Sequence, residues 1–244
     1  YPLRRQRQMC IRDRSYSKKD SNLTERAHGD GIKVSSESPE AFEEVFWMTF
    51  HQDEKNTEEK FKHYVQLINQ RYKKKRYLSK NNQNIRRLEL ISNTFPNSTI
   101  IIPFRDPMQH AYSLLYQHQK FIEDSKKDKF ISNYMKWIGH TEFGPNYIPI
   151  YNKDLCFKND IDINHWLEQW YLTYLQCYEA LRNKENVYFI CYEQLCSSKE
   201  YWTDILQILD IRKMYDFEFK ESQKVISLKV DDGICSRGFS LYAE

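Results

Sequence analysis

Residues Ile100–Leu114 read IIIPFRDPMQHAYSL. With Thr99 before them, the three isoleucines, Pro103 and Phe104 make a nearly continuous apolar run, as expected for a strand covered on both faces. Arg105-Asp106 follows at once. Pro107 then opens a helix, because its fixed φ and missing N–H suit a first helical position, and the pattern carries that helix to about Glu123. In a parallel α/β sheet, ligands sit beyond the carboxyl ends of strands, where helices begin. Arg105 stands at such an end, and a guanidinium beside the free N–H groups of a helix N-terminus suits a phosphate. Ser113 is eight residues after Arg105, about two turns into the helix, where its hydroxyl can face the same anion. The residues equally allow Arg105 to pair with Asp106 or to cap a neighbouring helix.

Outward from this stretch, Val187–Tyr192 is a second apolar strand, ending in Tyr192-Glu193. A ring at a strand end borders a flat base or packs in a core equally well. Upstream, Tyr77-Leu78-Ser79 reads as a short strand ending at Lys80, with a helix over Ile85, Leu88 and Ile91. Lys80 is a point charge suited to a developing anion, or a solvated lysine after the basic run Lys73–Arg76. Ser38-Pro39-Glu40 marks a helix start, and Thr57-Glu58-Glu59 opens a helix with Phe61, Tyr64, Val65, Ile68 and Tyr72 on one stripe. The polar residues Asp124–Lys129 read as a loop, and Gly139–Asp160 as aromatic and irregular. His165–Arg182 and Lys199–Leu209 read as helices, as does the closing VDDGICSRGFSLYAE. Strands alternating with helices imply an α/β fold, with one parallel sheet flanked by helices in a single domain.

Composition bounds the function. The chain has 244 residues, 40% hydrophobic and 29% charged, so it can bury a sizeable core. Its 37 Lys+Arg against 34 Asp+Glu leave +3, too balanced for a nucleic-acid coat. No apolar run approaches a membrane span. The six cysteines form no C-x-x-C pair, and His and Cys do not cluster at ligand spacing, so no metal is expected. Cys177 and Cys191 read as buried free thiols, which fits a reducing, cytoplasmic compartment. Residues 1–14, YPLRRQRQMCIRDR, have neither helical nor strand periodicity and look like adapter-derived sequence, so they are set apart as non-native.

Taken together, these residues resemble the sulfotransferase family, in particular its microbial-type members. The strand–Arg-Asp-Pro–helix with its Ser looks like the family's 3′-phosphate motif. The resemblance therefore implies that Arg105 and Ser113 bind 3′-phosphoadenosine 5′-phosphosulfate (PAPS). The LSKN segment is similar to the family's lysine-bearing strand end, giving Lys80 the role of stabilising charge on the sulfuryl group. Tyr192 matches the tyrosine that lies near the adenine. Glu25–Phe50 and Trp137–Pro149 carry the likeness further, and it runs from about Thr24 to the C-terminus.

The resemblance implies a P-loop-nucleotidase-like fold. No G-x-x-x-x-G-K-[ST] turn occurs, so residues 15–244 are expected to form a partial domain lacking the first strand and the 5′-phosphosulfate loop. On this reading the chain is an inactive or impaired fragment. A general base must take the acceptor's proton; His28 in AHGDG ranks first, before His140 and Glu142 in GHTEFG. The expected acceptor is a small molecule or carbohydrate hydroxyl or amine, with the rings of Tyr134–Tyr151 either lining its site or packing in the core. Nucleic acid is not an expected partner. The competing reading is a non-catalytic module that holds RNA or a sulfated polymer on Lys73–Arg76.

Overall fold

The computed structural model describes residues 24–25, 33–34, 42–50, 56–127, 129–212, 219–221 and 224–244. The chain divides into two units, Tyr1–Phe42 and Glu43–Glu244. In the first, β1 (Thr24–Glu25) pairs antiparallel with β2 (Lys33–Val34). Residues 1–14, His28 and the helix start at Ser38-Pro39-Glu40 lie outside the described residues.

The second unit begins with α1 (Glu43–Phe50) and α2 (Thr57–Tyr72). Phe46, Trp47 and Phe61 are buried where these helices cross, and Phe50, Tyr64, Val65, Leu90, Ile91 and Phe95 pack around them. Past α2, the expected strand Tyr77–Ser79 is extended but joins no sheet. Its partners are side chains instead. Tyr77 Oη donates to Glu43, and Asn84 Nδ2 donates to Glu43 Oε1 (2.7 Å) and to Ser79 Oγ (3.0 Å). An alternating sequence looks the same whether a strand or a carboxylate receives it. Asn81 caps the next turn by accepting from Gln83 N (3.0 Å), and a 3₁₀ segment, Asn82–Arg87, runs into α3 (Leu88–Thr94).

β3 (Ile100–Phe104) pairs in parallel with β4 (Val187–Cys191), so the α/β expectation holds, with a small two-stranded sheet flanked by helices. Ile100 and Ile102 are buried against Cys177 and Leu181, with Ile85, Leu88 and Ile91 beside them. Ile91 belongs to both clusters and joins the two cores. The opposite side of β3 is more open than the sequence suggested, with Ile101 half-buried and Pro103 exposed.

After β3, α4 (Pro107–Lys127) is longer than expected and takes in Asp124–Lys127. The polar composition imitates a loop but contains no Gly or Pro to break the helix. Its last turn also pairs Asp124 with Lys127 (3.6 Å) and sets Lys126 and Lys127 at the negative end of the helix dipole. α5 (Lys129–Trp137) follows, then an irregular segment with a 3₁₀ turn at Gly144–Asn146. α6 (Ile163–Leu181), α7 (Tyr192–Ser197), α8 (Lys199–Ile208) and α9 (Asp232–Ala243) complete the unit. The closing segment is a helix, as its spacing indicated. Asp231 caps it by accepting from Gly233 N and Ile234 N (both 3.0 Å).

Candidate functional site

Strand register decides which side chains meet. Phe104 stands opposite Cys191 as the last pair of the parallel ladder. The next residues, Arg105 and Tyr192, therefore leave the sheet side by side at its carboxyl end, and the Arg105 guanidinium lies 5.8 Å from the Tyr192 ring centroid. One residue further, Glu193 Oε1 accepts from Asp106 N (3.0 Å). Asp106 in turn caps α4 by accepting from Gln109 N (2.8 Å). The two strand ends are thus latched to each other and to the start of the helix.

Glu193 is the latch, a role that its place in the sequence pattern did not reveal. Its Oε2 accepts from Tyr242 Oη of α9 (3.0 Å) and from Cys191 Sγ (3.4 Å). Burial works to raise its pKa, yet these bonds, with Asp106 N foremost, hold the carboxyl below its ordinary value. The signal was available: residues two beyond the last pair of two parallel strands should meet, once the pairing is known.

The junction at Arg105 contains buried polar atoms without partners. Arg105 Nε and His110 Nδ1 are both inaccessible to solvent and lack a hydrogen bond. Burial, then the nearby Arg105 charge, push the His110 pKa down to about 4, so the ring is neutral at physiological pH. Ser113 follows His110 by three residues and shares its helix face; no hydrogen bond involves its hydroxyl among the described residues. Gln109, on the adjoining strip, exchanges two bonds with the Lys224 backbone (2.9 and 3.2 Å). The Lys224 ammonium lies 5.5 and 5.4 Å from the ring centroids of Tyr112 and Tyr116. Tyr192 Oη donates to Lys220 O (2.8 Å), so Lys220 and Lys224 are tied to opposite sides of the junction. Burial, with Cys196 next to it, raises the Tyr192 phenol pKa.

Lys80 lies elsewhere. Its exposed ammonium donates to Asn82 Oδ1 (2.9 Å), and the surrounding segment is fixed to α1, where Asn81 Nδ2 and Arg87 Nη1 both donate to Glu44 Oε2 (2.8 Å each). His140 Nδ1 and Glu142 Oε2 are 3.2 Å apart, close enough for an ion pair but without hydrogen-bond geometry. The His140 ring sits 5.8 Å from Phe121. Phe121 is eight residues after Ser113, about 12 Å along α4 at 1.5 Å per residue, so the His140 ring packs about two turns beyond Ser113 on that helix.

The aromatic middle region goes largely to packing. Phe143 is buried. Tyr147 donates to His165 Nε2 (2.7 Å) and packs on His118 and Trp166. Arg237 stacks on Tyr171 (5.4 Å). Among the described residues no cluster of His, Cys, Asp or Glu could hold a metal ion, and no helix is long and apolar enough to cross a membrane. The five described cysteines are free, and burial raises the Cys177 pKa to about 12.

Comparison with known proteins gives one match. The model of a family described as the sulfotransferase family matches residues 5–142, more than half the chain. That span includes Lys80, Arg105 and Ser113 and stops before Tyr192. Neither a curated protein nor a solved structure gives a significant match.

Proposed function

The chain belongs to the sulfotransferase family, and on that premise we propose that its sulfuryl donor is PAPS, held by its 3′-phosphate where β3 passes into α4. The observation that carries this reading is the pair of unpartnered, inaccessible nitrogens, Arg105 Nε and His110 Nδ1, beside the N-terminus of α4. Buried polar atoms are nearly always hydrogen-bonded, so a guanidinium left open at a strand end fits a ligand with acceptor oxygens. Arg105 and the Ser113 hydroxyl would bind the phosphate. The Tyr192 ring, fixed by its bond to Lys220 and its contact with Arg105, would border the adenine.

In the reaction the acceptor oxygen or nitrogen forms a bond to sulfur. The bond from sulfur to the 5′-phosphate oxygen breaks, and adenosine 3′,5′-bisphosphate leaves with that electron pair. The protein positions the groups and neutralises charge on the oxygens, and a base takes the acceptor's proton. Lys80 takes the charge-stabilising role. It is exposed and tied only to Asn82, so it can swing toward the sulfuryl group. His28 is the proposed base, ranked ahead of His140 and Glu142. For the acceptor, a groove of about 460 Å³ runs along α4 between Tyr112, Tyr116, Ile161 and Leu228. Its half-exposed rings suit a sugar or a flat small molecule.

Turnover of sulfur-labelled PAPS with a panel of hydroxyl and amine acceptors tests the reading. Lys80→Ala should lower kcat by about 100-fold or more while leaving the nucleotide dissociation constant within about threefold. Equal losses in both would remove Lys80 from the chemistry.

A further inference from the structure

Charge is distributed very unevenly along this chain. Between Lys60 and Leu88 there are ten Lys and Arg and no acidic residue, while the remaining residues hold 27 basic and 34 acidic side chains. A nearly neutral protein thus concentrates its positive charge in one stretch, comprising α2, the run Lys73–Arg76 and the extended segment after it.

The arginines of that stretch are mostly engaged within the fold. Arg76 donates to Leu209 O (3.0 Å), Arg86 to Pro149 O (2.9 Å), and Arg87 pairs with Glu44 (2.8 Å). The exposed cations Lys62, Arg71, Lys73, Lys74 and Lys75 have no ion-pair partner among the described residues. Lys73 adopts a left-handed conformation (φ 52°) that ends α2, and the chain turns there.

Apolar side chains stand out among these cations. Leu67 is 64% exposed, Tyr72 54% and Leu78 92%. Leu67 and Arg71 are four apart on α2 and share one strip. Leu78 has a local cause. Tyr77 turns inward to Glu43 and packs on Tyr64 (6.4 Å), so in extended backbone the next side chain must point outward.

We propose that this surface docks the protein onto a membrane rich in anionic lipid, with the lysines against the headgroups and Tyr72 and Leu78 entering the interface. Free lysines are point charges that suit a diffuse anionic surface, whereas three of the four arginines, which would grip individual phosphates in a fork, are occupied. Single-stranded RNA would call for several exposed rings as stacking platforms, and Tyr72 is the one exposed aromatic between Lys60 and Leu88. The exposed Leu78 contributes nothing to a soluble polyanion but gains from leaving water at a bilayer surface. This docking does not depend on the donor reading.

The test is co-sedimentation of the full chain with phosphatidylcholine vesicles, with and without phosphatidylserine, at physiological salt. Heparin binding is measured in parallel. Binding should require phosphatidylserine. Changing Lys73, Lys74 and Lys75 together to Gln should weaken it on the order of 100-fold, at about fivefold per lysine. Leu78→Ser should weaken vesicle binding by roughly fivefold and leave heparin binding unchanged. All four positions are exposed, so thermal melts should match the parent. Absence of binding to phosphatidylserine vesicles overturns the proposal, as does vesicle binding indifferent to the lysines. Vesicle binding that responds to the lysines but not to Leu78 would make this a general polyanion surface and overturn the lipid assignment.

Discussion

Two regions of the second unit bury polar side chains, and they treat them in opposite ways. Along the first half of α6, the irregular chain from 147 to 160 is held by side chains that are almost fully satisfied. Glu168 accepts from Cys156 N (3.0 Å) and Phe157 N (2.8 Å), and Gln169 exchanges two bonds with the Tyr151 backbone (3.0 and 2.6 Å). His165 donates through Nδ1 to Phe157 O (2.7 Å) and accepts through Nε2 from Tyr147, while Trp166 Nε1 donates to Asp160 O (2.8 Å). The exception is His118, whose Nε2 has Asp160 at 3.5 Å in poor geometry. At the β3–α4 junction, by contrast, Arg105 Nε and His110 Nδ1 have nothing to bond. Trp170 Nε1 and Thr173 Oγ1 on α6 are also unpartnered, and Tyr174 connects Trp170 (4.7 Å) to His110 (6.2 Å). The first region largely satisfies its own polar groups; the second leaves several of them without a partner. Unsatisfied buried groups are costly, and those at this strand end are what supports the proposed anion site.

The sharpest way to break this contrast is at Glu168. Glu168→Ala leaves the partly buried N–H groups of Cys156 and Phe157 without their acceptor, which should cost about 2 kcal/mol and lower Tm by about 4–8 °C. Calorimetry would show it, and nucleotide affinity of the folded protein should not change. A loss of nucleotide affinity comparable with the loss of stability would mean that the two regions are not separate in function.

Glu193→Gln probes the other side. It keeps the shape but removes the charge behind the bond to Asp106 N, so nucleotide affinity should fall roughly tenfold. Its pH signature follows from linkage. The folded carboxyl sits below its ordinary 4.5, so the stability it confers is present above that value and lost as pH falls through the depressed one. Melts across acid pH should show a shallower slope in Glu193→Gln; an unchanged slope would remove the latch.

The smallest expected effect belongs to His110. Its folded pKa of about 4 lies below the ordinary 6.5. The unfolded chain therefore takes up the proton first, and stability falls as pH drops from 6.5 toward 4. His110→Gln should reduce proton uptake on unfolding in that window by about one proton. A bound phosphate should raise the pKa of the native His110, which the pH dependence of its imidazole resonances would report.

Much of the scaffold was legible in the sequence. The apolar runs at 100–104 and 187–191 and the Pro107 helix start appear as read, because hydrophobic length and proline geometry are local properties. The meeting of Arg105 with Tyr192 was not legible from pattern alone. It depends on strand register, a long-range property, and resemblance to a family was what put the two residues together beforehand. The segment 139–160 looked irregular because its hydrogen bonds come from α6 side chains, which leave no periodicity in the segment itself. Tyr77–Ser79 misled for a related reason: carboxylates on α1 take the place of a neighbouring strand.

The central claim is an anion pocket at the carboxyl end of β3, and calorimetric titration of adenosine 3′,5′-bisphosphate into the parent, Arg105→Ala and Lys126→Ala proteins reaches it most directly. The account predicts saturable binding to the parent, about 100-fold weaker binding to Arg105→Ala with an undiminished Tm, and no change in Lys126→Ala. Equal affinity in the parent and Arg105→Ala, or equal losses in both variants, would contradict it.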